Sequence, residues 1–302
     1  MLNNITFDIE ISEITILLAI ATFQRIAMQG LSPETKRWYR CRLSLIAEAL
    51  GETRRLCDIM EIDLIRLREK WEKQNLSIHT LHGYIRALRR LFHWLHQRGI
   101  VTVDLVKDIP LPKLPKHGRR GISDEHARQI LEAAKQWSVR DYAILLVFAS
   151  TSARRGGVAG LKLADLRIRE PEPFCRQIQV IEKGGKQRTV IMDNETLRAL
   201  CAWLDVRPQG SEYVFVSDTG KPLQVNSISE IIDRYKQRLR IVGPCSPHQW
   251  RHRWFRRVLS NQMPLTQAAQ LGGHKNTSIT YQFYGQFAVS ELQEAYDKYY
   301  KP

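Results

Sequence analysis

The sequence predicts a mainly α-helical fold with one small antiparallel β-sheet, divided into two regions by a proline-rich linker. Three observations carry this expectation. Apolar residues recur at spacings of three and four along most of the chain. Period-two alternation is confined to two short runs flanking Gly184-Gly185. Three prolines, Pro110, Pro112 and Pro115, crowd into one short stretch. With 302 residues, 43% of them hydrophobic, the chain has the material for two domains of ordinary size.

The first region spans residues 1–107 and is expected to be all-helical. Its apolar stretch at 14–21 follows Asp8, Glu10 and Glu13, the wrong charge for a secretion signal, and is too short to span a bilayer, so it reads as a buried helix. Ser32 can cap a helix with Pro33 in its first turn; Tyr39, Leu43, Ile46 and Leu50 line one side and Gly51 stops it. A second helix opens at Ser77 and sets Leu81, Tyr84, Leu88, Leu91 and Leu95 on one stripe before Gly99. Its other face carries Arg86, Arg89, Arg90 and His93, with no acid from His79 to Arg98.

Residues 108–121 form the linker. Its prolines exclude helix and sheet interior, so it should run extended, with Lys113, Lys116, Arg119 and Arg120 suited to a strap along phosphates. The second region, 122–302, opens with a helix capped by Ser123 and carrying Ile130, Leu131 and Ala134. The apolar run 142–149 reads as a buried helix. Strands are expected at 177–181 and 188–192, joined through Lys183-Gly184-Gly185-Lys186, and helices follow at 194–204, 227–239, 251–260 and 291–299.

Lys and Arg outnumber Asp and Glu by 46 to 31, a net charge of +15. Such an excess faces a polyanion, and nucleic acid is the partner it suggests. The five cysteines are odd in number and scattered without a Cys-x-x-Cys pair, which argues against a disulfide framework or a zinc knuckle and fits a reducing cytoplasm. No segment reaches transmembrane length, so no membrane partner is expected.

Five features carry chemistry. Arg154 directly follows the buried helix, where a guanidinium must be paired or must face an anion; a structural salt bridge is the plain alternative. Lys183 sits at the hairpin tip, where alone it would pass for turn chemistry. His248 and Arg251 are spaced by three at a helix start after Ser246 and Pro247, a position that favours an anion. Leu271-Gly272-Gly273-His274 is a tight turn delivering a histidine, and Tyr284 follows near the C-terminus.

In this order the five elements resemble the tyrosine recombinase (phage integrase) family, from about Ser32 to the end of the chain. The Ser32–Thr35 segment is similar to the opening of that family's helical core-binding (SAM-like) domain, residues 86–95 to its last long helix, and 112–116 to its linker. Arg154 matches the first catalytic arginine, Lys183 the hairpin lysine, His248 and Arg251 the His-x-x-Arg box, His274 the Leu-Gly-His motif and Tyr284 the nucleophile. The resemblance implies a core-binding domain followed by a mixed α/β catalytic domain, the two clamping a DNA duplex. It implies site-specific cleavage and rejoining of DNA strands through a 3′-phosphotyrosine, by a tetramer acting on two sites and linked through its C-terminal helix. No metal, cofactor or ATP is implied, and the setting is the cytoplasm at the nucleoid. Arg86, Arg89, Arg90, Lys113 and Lys116 are the expected DNA contacts. Little chain precedes Ser32, so a simple two-domain recombinase is expected, without the arm-site-binding domain of large phage integrases.

Two departures stand out. The family has Glu or Asp three residues after its first arginine, where this chain has Gly157; another residue or water is expected to take that orienting role. The more common histidine-to-tyrosine spacing would select Phe283, whereas the longer spacing of conjugative-transposon integrases, with Tyr-Gly, selects Tyr284-Gly285; Tyr281 is the alternative nucleophile. Two other readings share parts of this pattern: a type IB topoisomerase-like enzyme, and a catalytically decayed DNA-binding accessory protein.

The residue types suit the reaction. Displacement at phosphorus spreads negative charge over the non-bridging oxygens, and arginines meet that charge bidentately without losing protons. A tyrosine hydroxyl, with an ordinary pKa near ~10, needs a base or adjacent cations, and His248 is placed to take its proton. Lys183 on a hairpin can protonate the leaving 5′-oxygen. A two-metal nuclease would need clustered carboxylates, which these motifs do not supply.

Overall fold

Side-chain caps set the helix boundaries, and apolar stripes decide which faces turn inward. The computed structural model describes residues 10–115, 121–172, 174–182, 185–274 and 276–284, together with Gln293, Tyr296 and Asp297. They divide into two compact units on either side of residues 116–120.

The first unit has four α-helices among the described residues. Thr15 accepts from the Leu18 N–H at 3.3 Å and starts α1 (Ile16–Ile26), which buries Ile16, Ala19, Ile20 and Phe23. Ser32 caps α2 (Pro33–Leu50) through the Thr35 N–H, and Ser77 caps α4 (Ile78–Gln97) through the Thr80 N–H. Between them lies α3 (Glu61–Lys73), whose start is fixed by Asp63: its carboxylate accepts from the Met60 N–H at 2.9 Å and pairs with Arg54 at 2.8 Å. These bonds, the Met60 N–H foremost, hold the Asp63 carboxyl below the usual carboxylate range. Sequence patterning assigns no helix here, because exposed Ile62 and Ile65 blur the buried stripe of Leu64, Leu67 and Trp71. The core of this unit joins Phe23, Leu43, Ile46, Leu64, Leu88 and Leu91, and it continues through Leu105 and Val106 to Ile109. The first residues of the expected linker therefore pack as part of this unit. Residues 109–115 beyond them have no regular structure.

The second unit is built around α6 (Val139–Thr151). Ser123 caps α5 (Asp124–Trp137), and Ser138 both ends α5 and caps α6. Every residue from Ala143 to Phe148 is buried, so α6 is wrapped on all sides. Each large side chain there contributes roughly 1.5–3 kcal/mol. It ends at Ser152, a non-glycine residue in the left-handed region at φ 53°. After the short α7 (Arg155–Ala159) come β1 (Gln177–Glu182) and β2 (Lys186–Ile191), paired antiparallel with Ile178 opposite Val190 and Val180 opposite Arg188. Gly185 takes φ +71° in the turn, which explains a glycine at that place. The remainder is α8 (Asn194–Val206), α9 (Val225–Arg238), α10 (Pro247–Ser260), α11 (Leu265–Gly272) and α12 (Thr277–Tyr284).

The main core gathers Ile144, Phe148, Val180, Phe215, Ile231 and Trp250; a smaller cluster of Trp254, Phe255, Leu259 and Ala268 fastens α10 to α11. Helix α10 begins at Pro247, which joins the helix start expected at His248 to the run expected at 251–260: Pro247 occupies its first turn and Ser246 with Gln249 closes a capping box. The terminal helix expected at 291–299 lies outside the described residues except at Gln293, Tyr296 and Asp297. No helix among the described residues is long and apolar enough to cross a membrane.

Candidate active site

Arg251 organises the site. It lies one turn into α10 and is only 4% exposed. Nη1 donates to the Ser152 carbonyl at 2.5 Å and Nη2 donates to the Gly272 carbonyl. Hydrogen bonds from a charged donor contribute roughly 1.5–3 kcal/mol each, which offsets part of the desolvation of this cation. The two carbonyls belong to the turns that deliver the other functional groups. The left-handed Ser152 turn leads to Arg154, half-buried at the start of α7. Gly272 closes α11, Gly273 reverses the chain at φ +66°, and His274 follows with its N–H donating to the Ala269 carbonyl.

These groups are close enough to feel one another. Burial first, then the Arg251, Arg154, Arg188 and His252 charges, push the His274 imidazole down to about 4. Burial, then the Arg188 charge, lowers the Arg154 guanidinium, and burial brings Arg188 down to about 10. Cations gathered in a half-buried place disfavour one another and favour an incoming anion. His274, neutral at pH 7, is held on two sides. Its Nδ1 lies 2.7 Å from the hydroxyl of buried Thr280 on α12, and its ring lies parallel to Phe255 at 4.8 Å between centroids.

Arg154, Arg251 and His274 are thus brought together, and His248 stands on the same helix as Arg251. His248 is exposed in the first turn of α10, its ring 6.5 Å from that of buried His252. Tyr284 is the last residue of α12, four residues after Thr280; its side chain lies outside the described residues, as does all of Lys183. A Cβ added at buried Gly157 would meet Ile181 O and Val180 Cβ at an ordinary 3.6 Å, so crowding does not require glycine there.

In the first unit, Arg86 and Arg90 are exposed on α4, and the Arg86 guanidinium lies 5.9 Å from the Trp38 ring. Arg89 differs from expectation: it turns to its own unit and donates to the Ile109 carbonyl at 2.8 Å. His93 also leaves the basic face, because the fold brings Asp104 within 3.1 Å of it. Lys113 is exposed, and Lys116 lies outside the described residues.

Three residues of the site escape the motif reading: Ser152, Arg188 and Phe255; Thr280 is the threonine of the Thr-x-x-x-Tyr spacing that selects Tyr284. Arg188 had a visible signal. It stands opposite Val180 and two residues before Val190, on the apolar face of β2, and its Nη1 donates to the Leu271 carbonyl.

Comparison with known proteins gives the family and the fold. The family model described as "Phage integrase family" matches residues 121–291, and "Phage integrase, N-terminal SAM-like domain" matches residues 23–99. The tyrosine recombinase XerC of Haemophilus influenzae (strain PittEE) is 30% identical over 232 residues, covering 75% of this chain and 77% of that protein. Solved structures also share the fold. XerH site-specific recombinase bound to difH substrate has a TM-score of 0.73 at 20% identity, covering 93% of this chain and 94% of that one. A lambda integrase tetramer bound to a Holliday junction has a TM-score of 0.74 at 17% identity, covering 91% and 80%.

The electrostatics give a pH dependence. A histidine whose folded pKa lies below its unfolded value of about 6.5 binds fewer protons when folded. Its contribution to stability is full above that unfolded value and is lost as pH falls towards about 4. Melting of the wild type should therefore decline over this window, and the decline should be shallower in His274→Asn. In one-dimensional histidine NMR of the DNA-free protein, the His274 ring should stay neutral at pH 6; titration near the ordinary value would contradict this account.

Proposed function

Because the chain belongs to the phage integrase family, we propose that it is a site-specific tyrosine recombinase that cuts and rejoins duplex DNA through a covalent 3′-phosphotyrosine made by Tyr284. The observation that carries the reading is the convergence of Arg154, Arg251 and a neutral His274 next to the helix that ends in Tyr284.

The chemistry follows from those side chains. Arg154 and Arg251 meet the two non-bridging oxygens of one phosphate, and His274, uncharged, donates a hydrogen bond to the same group. The Tyr284 oxygen attacks phosphorus while its proton passes to His248, which is exposed and can hand it on to solvent. The bond from phosphorus to the 5′-oxygen breaks, and Lys183 protonates that oxygen. Phosphotyrosine keeps the bond energy, so attack by a 5′-hydroxyl from a second duplex reseals the strand without ATP. Exchange between two duplexes calls for four protomers, and a tetramer joined through the segment after α12 is the assembly proposed, acting at the nucleoid.

Three experiments test this. On a nicked suicide duplex, Tyr284→Phe should bind DNA normally and form no covalent adduct, whereas Tyr281→Phe should still form one; the reverse pattern would move the nucleophile to Tyr281. Lys183→Ala should slow cleavage about 10²–10⁴-fold on ordinary DNA, yet recover on a substrate with sulfur at the bridging 5′ position, whose thiolate leaves without a proton. Arg154→Ala should fail on both. In the first unit, replacing Arg86 and Arg90 together should reduce the slope of log affinity against log salt by about 0.9 for each phosphate no longer neutralised. Arg89→Ala should instead lower the melting temperature, since it removes the bond to Ile109.

A further inference from the structure

Phe255 stands one turn after Arg251 on α10 and is fully buried. Three members of the site meet at its ring. The Arg251 guanidinium carbon lies 5.1 Å from the ring centre. The His274 imidazole lies parallel to it, with 9° between the planes and 4.8 Å between centroids. The tip of the ring lies against Gly272: a Cβ there would fall 2.0 Å from Cζ and 2.8 Å from Cε1, so the ring would have to move to admit it. The backbone at Gly272 is not among the positive-φ positions, so a side chain is refused there by the ring rather than by the conformation.

We propose that Phe255 is a positioning residue, a flat plate that sets the Arg251 guanidinium and the His274 imidazole at a fixed spacing, with Gly272 as the slot that admits it. The inference rests on the reading that these two groups share one phosphate. A filled core alone would be met by any side chain of similar volume. Parallel stacking needs a ring, and a guanidinium over an aromatic face is itself attracted to it. The plate also shields His274 from water on one side. Among the described residues, the charged and titratable groups around that imidazole are Arg251 and His252 from α10, Arg154 from the start of α7, and Arg188 from β2. Neutral Thr280 meets it from α12. Shielding by Phe255 therefore adds to a field that already keeps the ring uncharged.

Phe255→Leu separates the plate from the filler, because leucine occupies the space without a flat face. In the full-length protein this variant should fold and bind duplex DNA as the wild type does. Its rate of adduct formation at saturating DNA should fall about tenfold to a hundredfold, the scale expected for displaced reacting groups. Gly272→Ala, which keeps the ring but pushes it aside, should show the same split and covers the case in which the leucine variant does not fold. His274 titration by NMR in the DNA-free protein provides a readout independent of catalysis: its pKa should rise in either variant from about 4 towards the ordinary histidine range. Adduct formation at the wild-type rate in a folded variant, or an unmoved His274 titration, would overturn the proposal. A wild type that forms no adduct would count against the recombinase reading instead, and the titration would still decide the role of Phe255.

Discussion

Arg251 is a charge buried between two carbonyls, and the geometry of the second unit depends on that arrangement. The Ser152 carbonyl ends α6 and the Gly272 carbonyl ends α11, so one guanidinium holds the ends of two helices in register. The chain leaves the first towards Arg154 and the second towards His274. Neither turn is regular structure with its own hydrogen-bond ladder. Their relative placement comes from the fork geometry of the guanidinium, which a lysine ammonium could not reproduce. Ser152 adopts a left-handed conformation that non-glycine residues seldom take, a local strain of the kind found where structure is held for function.

The site also gathers like charges around a half-buried imidazole. Arg154, Arg188 and Arg251 all lower the proton affinity of His274, and Arg188 lowers that of Arg154. A fold keeps such repulsion only where packing elsewhere outweighs it, and the core around α6 supplies that packing. The donors are then oriented before any phosphate arrives, so little reorganisation remains for the reacting state. The Thr280 hydroxyl carries this order onward: through its bond to His274, the helix that bears Tyr284 is tied to the group that would hold the phosphate.

Features set by local chemistry were legible in the sequence. Ser32, Ser77 and Ser123 cap helices as their types require, and the order of Arg154, Lys183, His248, Arg251, His274 and Tyr284 pointed to the family that the comparisons show. What escaped depends on interactions between distant segments. The reading of Arg89 and His93 as part of a basic, DNA-facing stripe could not anticipate the Ile109 carbonyl or Asp104. Helix α3 was hidden by Ile62 and Ile65, exposed apolar residues that spoil its periodicity. Phe255 drew no reading, since nothing local distinguishes a ring that fills space from one that orients its neighbours.

The fit of the Phe255 ring against Gly272 bears on how such a chain can diverge. A descendant that gains a side chain at 272 while Phe255 remains displaces the ring, and one that shrinks 255 first passes through a form with an unsupported imidazole. Neither order of change is neutral alone. The two positions are therefore bound to a shared history, and lineages carrying a ring at one and a bare backbone at the other would be separated from the opposite arrangement by a fitness valley rather than by a slope.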